Sequence, residues 1–412
     1  PNSVADILRS KAARALYQKR AQIYPKLAHG AFRNLKWAAM IVLLAIYYIT
    51  PWIRWERGPG EPDQAVLVDF AGRRFYFFFI ELWPQEVYYI TGLLILAAFG
   101  IFLSSALFGR VWCGYACPQT VWTDLYIYVE RMIEGDRNAR MKLDKAPMSP
   151  SKAAKKVSKH VLWLLIAAAT GGAWVFYFAD APTLFSELFT GRASASAYLF
   201  VGLLTFTTYA LAGTMREQVC TYMCPWPRIQ AAMMDKDALS VTYRADRGEP
   251  RGAHKKGESW EGRGDCIDCR QCVAVCPQGI DIRDGDQLEC INCALCIDAC
   301  DDIMRKVGRP TGLIAYDSYA NQSRRSQGLE ARIRLVRPRT LLYGALFSVV
   351  AVLMIWGLAT RETLDLNVIR DRSPPFVRLA DGSMRNDYAL KVINMANHAR
   401  TVTVRTAPVT GW

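Results

Sequence analysis

No charged residue occurs between Val87 and Phe108, and that stretch alone excludes most ways of folding in water. The hydrocarbon of a bilayer requires about 20 apolar residues, and there the backbone must satisfy its own hydrogen bonds, as a helix does. Four more stretches, roughly 37–53, 160–179, 196–214 and 340–359, share this character, although the first is short and ends at Pro51-Trp52. Buried core helices are the competing reading. Five such spans in one chain, bordered by Trp37, Tyr47, Trp52, Trp83, Trp163 and Tyr177 in the manner of interfacial aromatics, favour the membrane. Composition agrees: 52% of residues are apolar and 21% charged, below the roughly 25% of soluble chains. The expectation is an α-helical membrane protein with about five transmembrane helices.

The net charge of +14 suits either a nucleic acid or a membrane surface, and the positions of the basic residues decide between them. Segment 1–36 holds eight Lys/Arg, 131–159 nine and 305–339 nine, whereas 54–85 holds four against five acidic residues and 180–195 only Arg192. The positive-inside bias places 1–36, 109–159 and 215–339 in the cytoplasm and 54–85, 180–195 and 360–412 outside, with the N-terminus in and the C-terminus out. The basic runs are membrane anchors, so no nucleic-acid partner is needed. Pro1 as first residue predicts an incomplete or processed N-terminus, and the polar, basic first 35 residues show no signal peptide.

A repeat organises the chain. Residues 37–135 form a membrane hairpin ending in Arg110-Val-Trp-Cys113-Gly-Tyr-Ala-Cys117-Pro118, and 160–243 form a second ending in Arg216-Glu-Gln-Val-Cys220-Thr-Tyr-Met-Cys224-Pro225. Each closes on C-x3-C-P. A basic loop, 136–159, joins them after the 1–36 N-terminal segment. A linker, 244–264, leads to a cysteine-dense domain at 265–305, a basic segment at 306–339 and the fifth span at 340–359. In the tail, 360–412, residues 387–394 and 401–404 alternate as strands do. That tail reads as the start of a periplasmic β-domain, too short to close a sandwich.

The strongest chemical signal is a pair of C-x2-C-x2-C-x3-C runs: Cys266, Cys269, Cys272 and Cys276, then Cys290, Cys293, Cys296 and Cys300. Such spacing wraps the backbone around a cubane, the first three thiolates binding one cluster and the fourth reaching the neighbouring one. One [4Fe–4S] cluster is then held by Cys266, Cys269, Cys272 and Cys300, and the other by Cys276, Cys290, Cys293 and Cys296. The fourth cysteine of each run is expected to start a helix leading away. Disulfides are disfavoured in a reducing compartment, and zinc sites use paired C-x2-C elements rather than two four-cysteine runs. Pro277 follows the first run, whereas Asp301 follows the second, which alters the local turn and not ligation. The domain is a bacterial-type 2[4Fe–4S] ferredoxin and acts as an electron wire.

The remaining cysteines, Cys113, Cys117, Cys220 and Cys224, lie in the two C-x3-C-P motifs. Proline disfavours α geometry before it and suits the first helical turn, so Cys117 and Cys224 should cap following helices, an environment that favours thiolate. An amphipathic helix is expected over 120–132. If the repeats pack together, four soft ligands converge and suit Cu(I), zinc or a further iron–sulfur centre; otherwise the cysteines pack helix ends. Met223, Met233 and Met234 are treated as core filler rather than thioether ligands. The chain has only four histidines, His29, His160, His254 and His398, which disfavours haem. His160 is expected at a helix end near headgroups and His254 in a solvated linker.

These residues resemble the family of CcoG, the cytochrome c oxidase accessory protein also called FixG or RdxA. The likeness includes Ile23-Tyr-Pro-Lys-Leu-Ala-His-Gly-Ala-Phe32, Phe70-Ala-Gly-Arg-Arg-Phe-Tyr, Trp83-Pro-Gln, both C-x3-C-P motifs and the tandem ferredoxin runs. C-x3-C-P alone also occurs in membrane ferredoxin-type proteins of nitrate and nitrous-oxide respiration. The resemblance implies a bacterial inner-membrane protein with an immunoglobulin-like periplasmic tail. It also implies a role in cbb3-type oxidase assembly, with Cu(II) reduced to Cu(I) and with oxidase subunits or copper chaperones as partners. An electron conduit from the quinol pool and a non-catalytic scaffold are the alternatives. The sequence names no electron donor and does not decide between monomer and homodimer.

Overall fold

The computed structural model describes residues 22–255, 257–373, 376–396 and 399–405; His398 and the first 21 residues lie outside them. The chain divides into two units, one containing Phe102–Thr170 and Leu203–Thr340 with the segment ending at Leu44, the other Ala45–Ile101, Gly171–Gly202 and the segment from Leu341. All 12 cysteines, each of them free, belong to the first.

Among the described residues four helices are long and apolar enough to cross a membrane: Ala31–Trp52, Pro84–Phe108, Ala195–Met215 and Pro338–Ala359. Their apolar side chains face outward, Leu94 at 65%, Leu199 at 66% and Trp356 at 64% exposure, the inverse of a soluble core. The fifth expected span, 160–179, falls largely in the helix Pro150–Val175. That helix begins with Lys152, Lys155, Lys156 and Lys159, so only its second part is apolar. His160 sits where these parts meet, inside the helix rather than at the expected end, and shares a 2.8 Å hydrogen bond with the Tyr209 hydroxyl.

The first unit is organised on the helix Pro118–Glu134, which extends the 120–132 expectation by about half a turn at each end. Tyr126 and Trp163 pack together with Val129 and Ala212. The Tyr126 hydroxyl donates to the Trp163 carbonyl at 2.9 Å, and the Trp163 indole donates back to the Tyr126 carbonyl at 3.2 Å. The same helix buries three carboxylates, each matched by cations. Arg33 grips Asp124 with two bonds of 2.9 and 2.6 Å, Glu130 meets Arg140 and Arg216, and Glu134 meets Lys156 and Lys159. Buried charges survive only when paired in this way.

Strand Ser240–Tyr243 pairs antiparallel with Ile314–Asp317, Ser240 opposite Asp317 and Tyr243 opposite Ile314. This ladder ties together the two ends of the cysteine-rich segment, so the folded module runs wider than 265–305. Its core joins Val241, Tyr243, Ile282, Met304, Leu313 and Ile314 to Cys266, Cys272 and Cys290. Within the linker, His254 stacks on Trp260 at 3.9 Å.

The second unit contains an antiparallel meander, Val66–Asp69, Arg74–Phe77 and Ile80–Leu82. Gln64, 1% exposed, donates to the carbonyls of Val66 and Phe176 and accepts from the Ala181 amide. In the tail, Tyr388–Asn394 pairs with Leu364–Arg370, and Val377–Arg378 with Met384–Arg385. Residues 401–404 form no strand. Alternation marks a face for pairing, but a strand also needs a partner ladder.

Candidate metal centres

Both ferredoxin runs fold by the same backbone device. Asp268 and Arg270 in the first, and Asn292 and Ala294 in the second, take left-handed φ values of 52°, 52°, 52° and 60°. None is glycine. Each such residue costs about 1–2 kcal/mol, and strain of this kind persists where a site over-determines it. The left-handed residues flank the second cysteine of each run, and left-handed turns are a recurring element of the backbone concavities that bind anions and iron–sulfur centres.

One cavity is bordered by Cys266, Cys269, Cys272 and Cys300 with Ile303, Leu313 and Ile314. Another is bordered by Cys276, Cys290, Cys293 and Cys296 with Val241, Ile280 and Ile291, and Cys272 touches its edge. Burial in these apolar walls, reinforced by neighbouring thiols, pushes the Cys276, Cys290 and Cys300 thiols up to about 12 and Cys296 well above its ordinary value. Four soft donors around an apolar cradle fit a [4Fe–4S] cluster at each place, and binding would displace the thiol protons. The fourth cysteines do not start helices. Cys276 terminates the helix Gln271–Val275, and Cys300 lies inside Leu295–Lys306. Pro277 holds Cys276 extended, ψ 122°, whereas Asp301 lets the second helix continue.

The C-x3-C-P motifs also share one geometry. The Cys117 amide donates to the Trp112 carbonyl at 2.9 Å, and the Cys224 amide to Val219 at 2.8 Å, each closing a widened turn one residue before the first cysteine. Both pre-proline cysteines are extended, with ψ 127° and 120°. Cys117 occupies the N-cap of Pro118–Glu134 but makes no side-chain cap bond, and at the second motif Pro225, not Cys224, is the N-cap. The four thiols lie near enough for their charges to act on one another, although among the described residues no group of three or more His, Cys, Asp or Glu side chains is arranged to hold a metal ion. Desolvation, then the charges of Cys117, Cys220 and Cys224, push Cys113 up to about 12, and Cys220 is raised likewise beside Cys117 and Cys224. The Cys113 thiol donates to the buried Gln230 side chain at 3.0 Å. Met223 is 56% exposed. A small cavity beside Cys220 is lined by Lys36, Asp124, Arg216, Glu217 and Gln278 together with Ile127, Pro277 and Ile291.

The sulfur-rich parts of the first unit dock on each other through residues that cysteine spacing does not reveal. Arg110, buried, donates to the carbonyls of Gln287, Leu288 and Cys290 at 3.0, 2.8 and 3.1 Å. The Tyr115 hydroxyl donates to the Cys293 carbonyl at 3.1 Å. Gly114 lies so close that a Cβ there would sit 2.7 Å from the Ile291 carbonyl oxygen. Asp298 accepts from the Phe32 and Arg33 amides at 3.3 and 2.7 Å, capping the helix Ala31–Ile49. The one cue in the sequence was an arginine ahead of each C-x3-C-P motif.

Comparison with known proteins supplies a family. Residues 215–319 match a family model described as a 4Fe-4S dicluster domain, 90–134 one described as a 4Fe-4S binding domain, and 354–411 one described as an IG-like fold at the C-terminus of FixG. The nitrogen fixation protein FixG of Rhizobium meliloti is 55% identical over 94% of this chain and 80% of its own length. Protein RdxB of Cereibacter sphaeroides is 55% identical over 94% of this chain and 82% of its own, and RdxA of that organism 53% over 93% and 82%. No solved structure matches the chain. The iron–sulfur domains and membrane-length helices on which these matches fall make it a membrane iron–sulfur protein, and the chain belongs to the FixG/RdxA family.

Proposed function

We propose that the protein is a cupric reductase of the cytoplasmic membrane, delivering single electrons to Cu(II) at Cys113, Cys117, Cys220 and Cys224 in the service of cbb3-type oxidase copper-site assembly. The observation that carries this reading is that Cys113 packs in one buried cluster with Cys293 of a ferredoxin run, while Cys220 lines a cavity with Gln278 and Ile291. Reduction of Cu(II) to Cu(I) needs one electron and no general acid or base, and soft sulfur retains the product. Cys266, Cys269, Cys272 and Cys300 would hold one [4Fe–4S] cluster, and Cys276, Cys290, Cys293 and Cys296 the other, supplying one-electron storage. In this reading the basic segments lie in the cytoplasm with the N-terminus, five helices cross, and the β tail is periplasmic.

A second reading has its own support, because the stretch matching a 4Fe-4S binding domain includes Cys113 and Cys117. The four thiols then hold a third cluster and the protein is an electron conduit. Iron analysis of anaerobically purified protein separates the two: about eight iron atoms per chain fits two [4Fe–4S] clusters, and about twelve fits three. With eight iron atoms, Cys113→Ser/Cys117→Ser is expected to abolish Cu(II) reduction and keep the ferredoxin absorbance. Retained reduction would remove copper from this site.

A further inference from the structure

The two ferredoxin ligand sets stand in unequal relation to the C-x3-C-P thiols. Cys113 shares a buried cluster with Val275, Ile291, Cys293 and Leu295. Gly114, Tyr115 and Arg110 touch the 287–293 loop, which carries Cys290 and Cys293. The second motif reaches the same set from its other end, since Cys220 lines one small cavity with Pro277, Gln278 and Ile291, the first two directly after Cys276. Both motifs therefore meet the set Cys276, Cys290, Cys293 and Cys296. Cys269 of the other set is the single exposed cysteine of the chain.

From this geometry we infer that the relay has a fixed order. An electron arrives at the Cys266/Cys269/Cys272/Cys300 set through Cys269 and leaves from the Cys276/Cys290/Cys293/Cys296 set through Cys293, with Gly114 and Tyr115 as positioning residues. The inference rests on the reading of the four C-x3-C-P thiols as the electron-accepting site. The balance is one electron throughout. A low-potential one-electron donor protein would be oxidised, centres held by the two cysteine sets would supply one-electron storage between donor and acceptor, and Cu(II) would become Cu(I). Tunnelling falls exponentially with separation, so the closest contact sets the rate. Gly114 permits that contact, because any Cβ would also stand 3.1 Å from the Cys293 amide nitrogen and Cα and would push the two backbones apart. The Tyr115 bond to the Cys293 carbonyl fixes the loop laterally.

The test uses full-length protein in detergent, reduced by dithionite and then mixed with Cu(II), with cluster absorbance followed by stopped flow and EPR. Changes in the shell around a metal ligand cost about 10–100-fold, and Gly114→Ala is expected to slow Cu(II)-driven reoxidation about tenfold. Iron content, EPR line shape and the rate of reduction by dithionite should stay at wild-type values. Tyr115→Phe, which adds no steric load, should slow the same step by a smaller factor and keeps the inference testable if Gly114→Ala misfolds. Wild-type reoxidation rates in both variants, or a change confined to the reduction step, would overturn the order. Reduced wild-type protein that Cu(II) does not reoxidise would instead defeat the reading of the thiol site.

Discussion

Arg110 donates from one guanidinium nitrogen to the carbonyl of Cys290 at 3.1 Å, across 180 positions of sequence. The same nitrogen also meets the Gln287 and Leu288 carbonyls, so a single side chain at the end of a membrane helix holds the loop that leads into the second ferredoxin run. Charge-assisted bonds of this kind contribute about 1.5–3 kcal/mol each when intact.

Arg110→Ala leaves those carbonyls without their donor and should destabilise the protein by about 2–4 kcal/mol, judged from hydrogen bonds to charged groups. Arg110→Lys should recover only part of this, because the lysine side chain is one bond shorter and does not carry its ammonium to the position of that nitrogen. Thermal unfolding in detergent, read beside iron content, measures both. A melting temperature unchanged by Arg110→Ala would show that the loop seats itself.

Ala294, 1% exposed, occupies a left-handed position at φ 60° beside Cys293. Glycine removes the steric cost there but adds about 0.5–1 kcal/mol of chain entropy, so Ala294→Gly should change stability by about 1 kcal/mol or less. A β-branched residue fits neither the backbone nor the space. Ala294→Val should lower iron from about eight to about four per chain, since it disrupts one of two four-iron sites. Full iron occupancy in this variant would count against the backbone as the determinant of the second site.

Asp124 should contribute to acid unfolding. Desolvation raises its pKa, but Lys36 and the bidentate Arg33 outweigh that and hold the carboxyl below its ordinary range. A folded-state pKa below the unfolded one gives stability that is full above the unfolded value and is lost as pH falls through the folded value. Asp124→Asn, which leaves Arg33 and Lys36 unpaired, should cost about 3–5 kcal/mol at neutral pH. The difference between wild type and variant should shrink as the pH is lowered. Parallel pH profiles of melting temperature would exclude Asp124 from the acid transition.

Much of this protein is legible in residue order, for a physical reason. A bilayer-length apolar run such as Val87–Phe108 and a four-cysteine run such as Cys290–Cys300 act locally, so their chemistry is set by spacing. Cysteine before proline is likewise local: Cys117, Cys224 and Cys276 all adopt the extended backbone that the ring imposes. The same rule explains why Cys300, followed by Asp301, stays helical. The helix expected to start at each fourth cysteine failed because an x3 interval between cysteines equals about one helical turn, which lets Cys296 and Cys300 share a helix that had already begun.

Tertiary structure alone decided which ferredoxin ligands face the C-x3-C-P thiols. Spacing does not distinguish Cys269 from Cys293, each the second cysteine of an identically spaced run. Packing leaves one exposed and buries the other against Gly114 and Tyr115. Ligation depends on neighbours a few residues apart, whereas the contacts of Arg110 and Tyr115 with the 287–293 loop form only when distant parts of the chain are folded together.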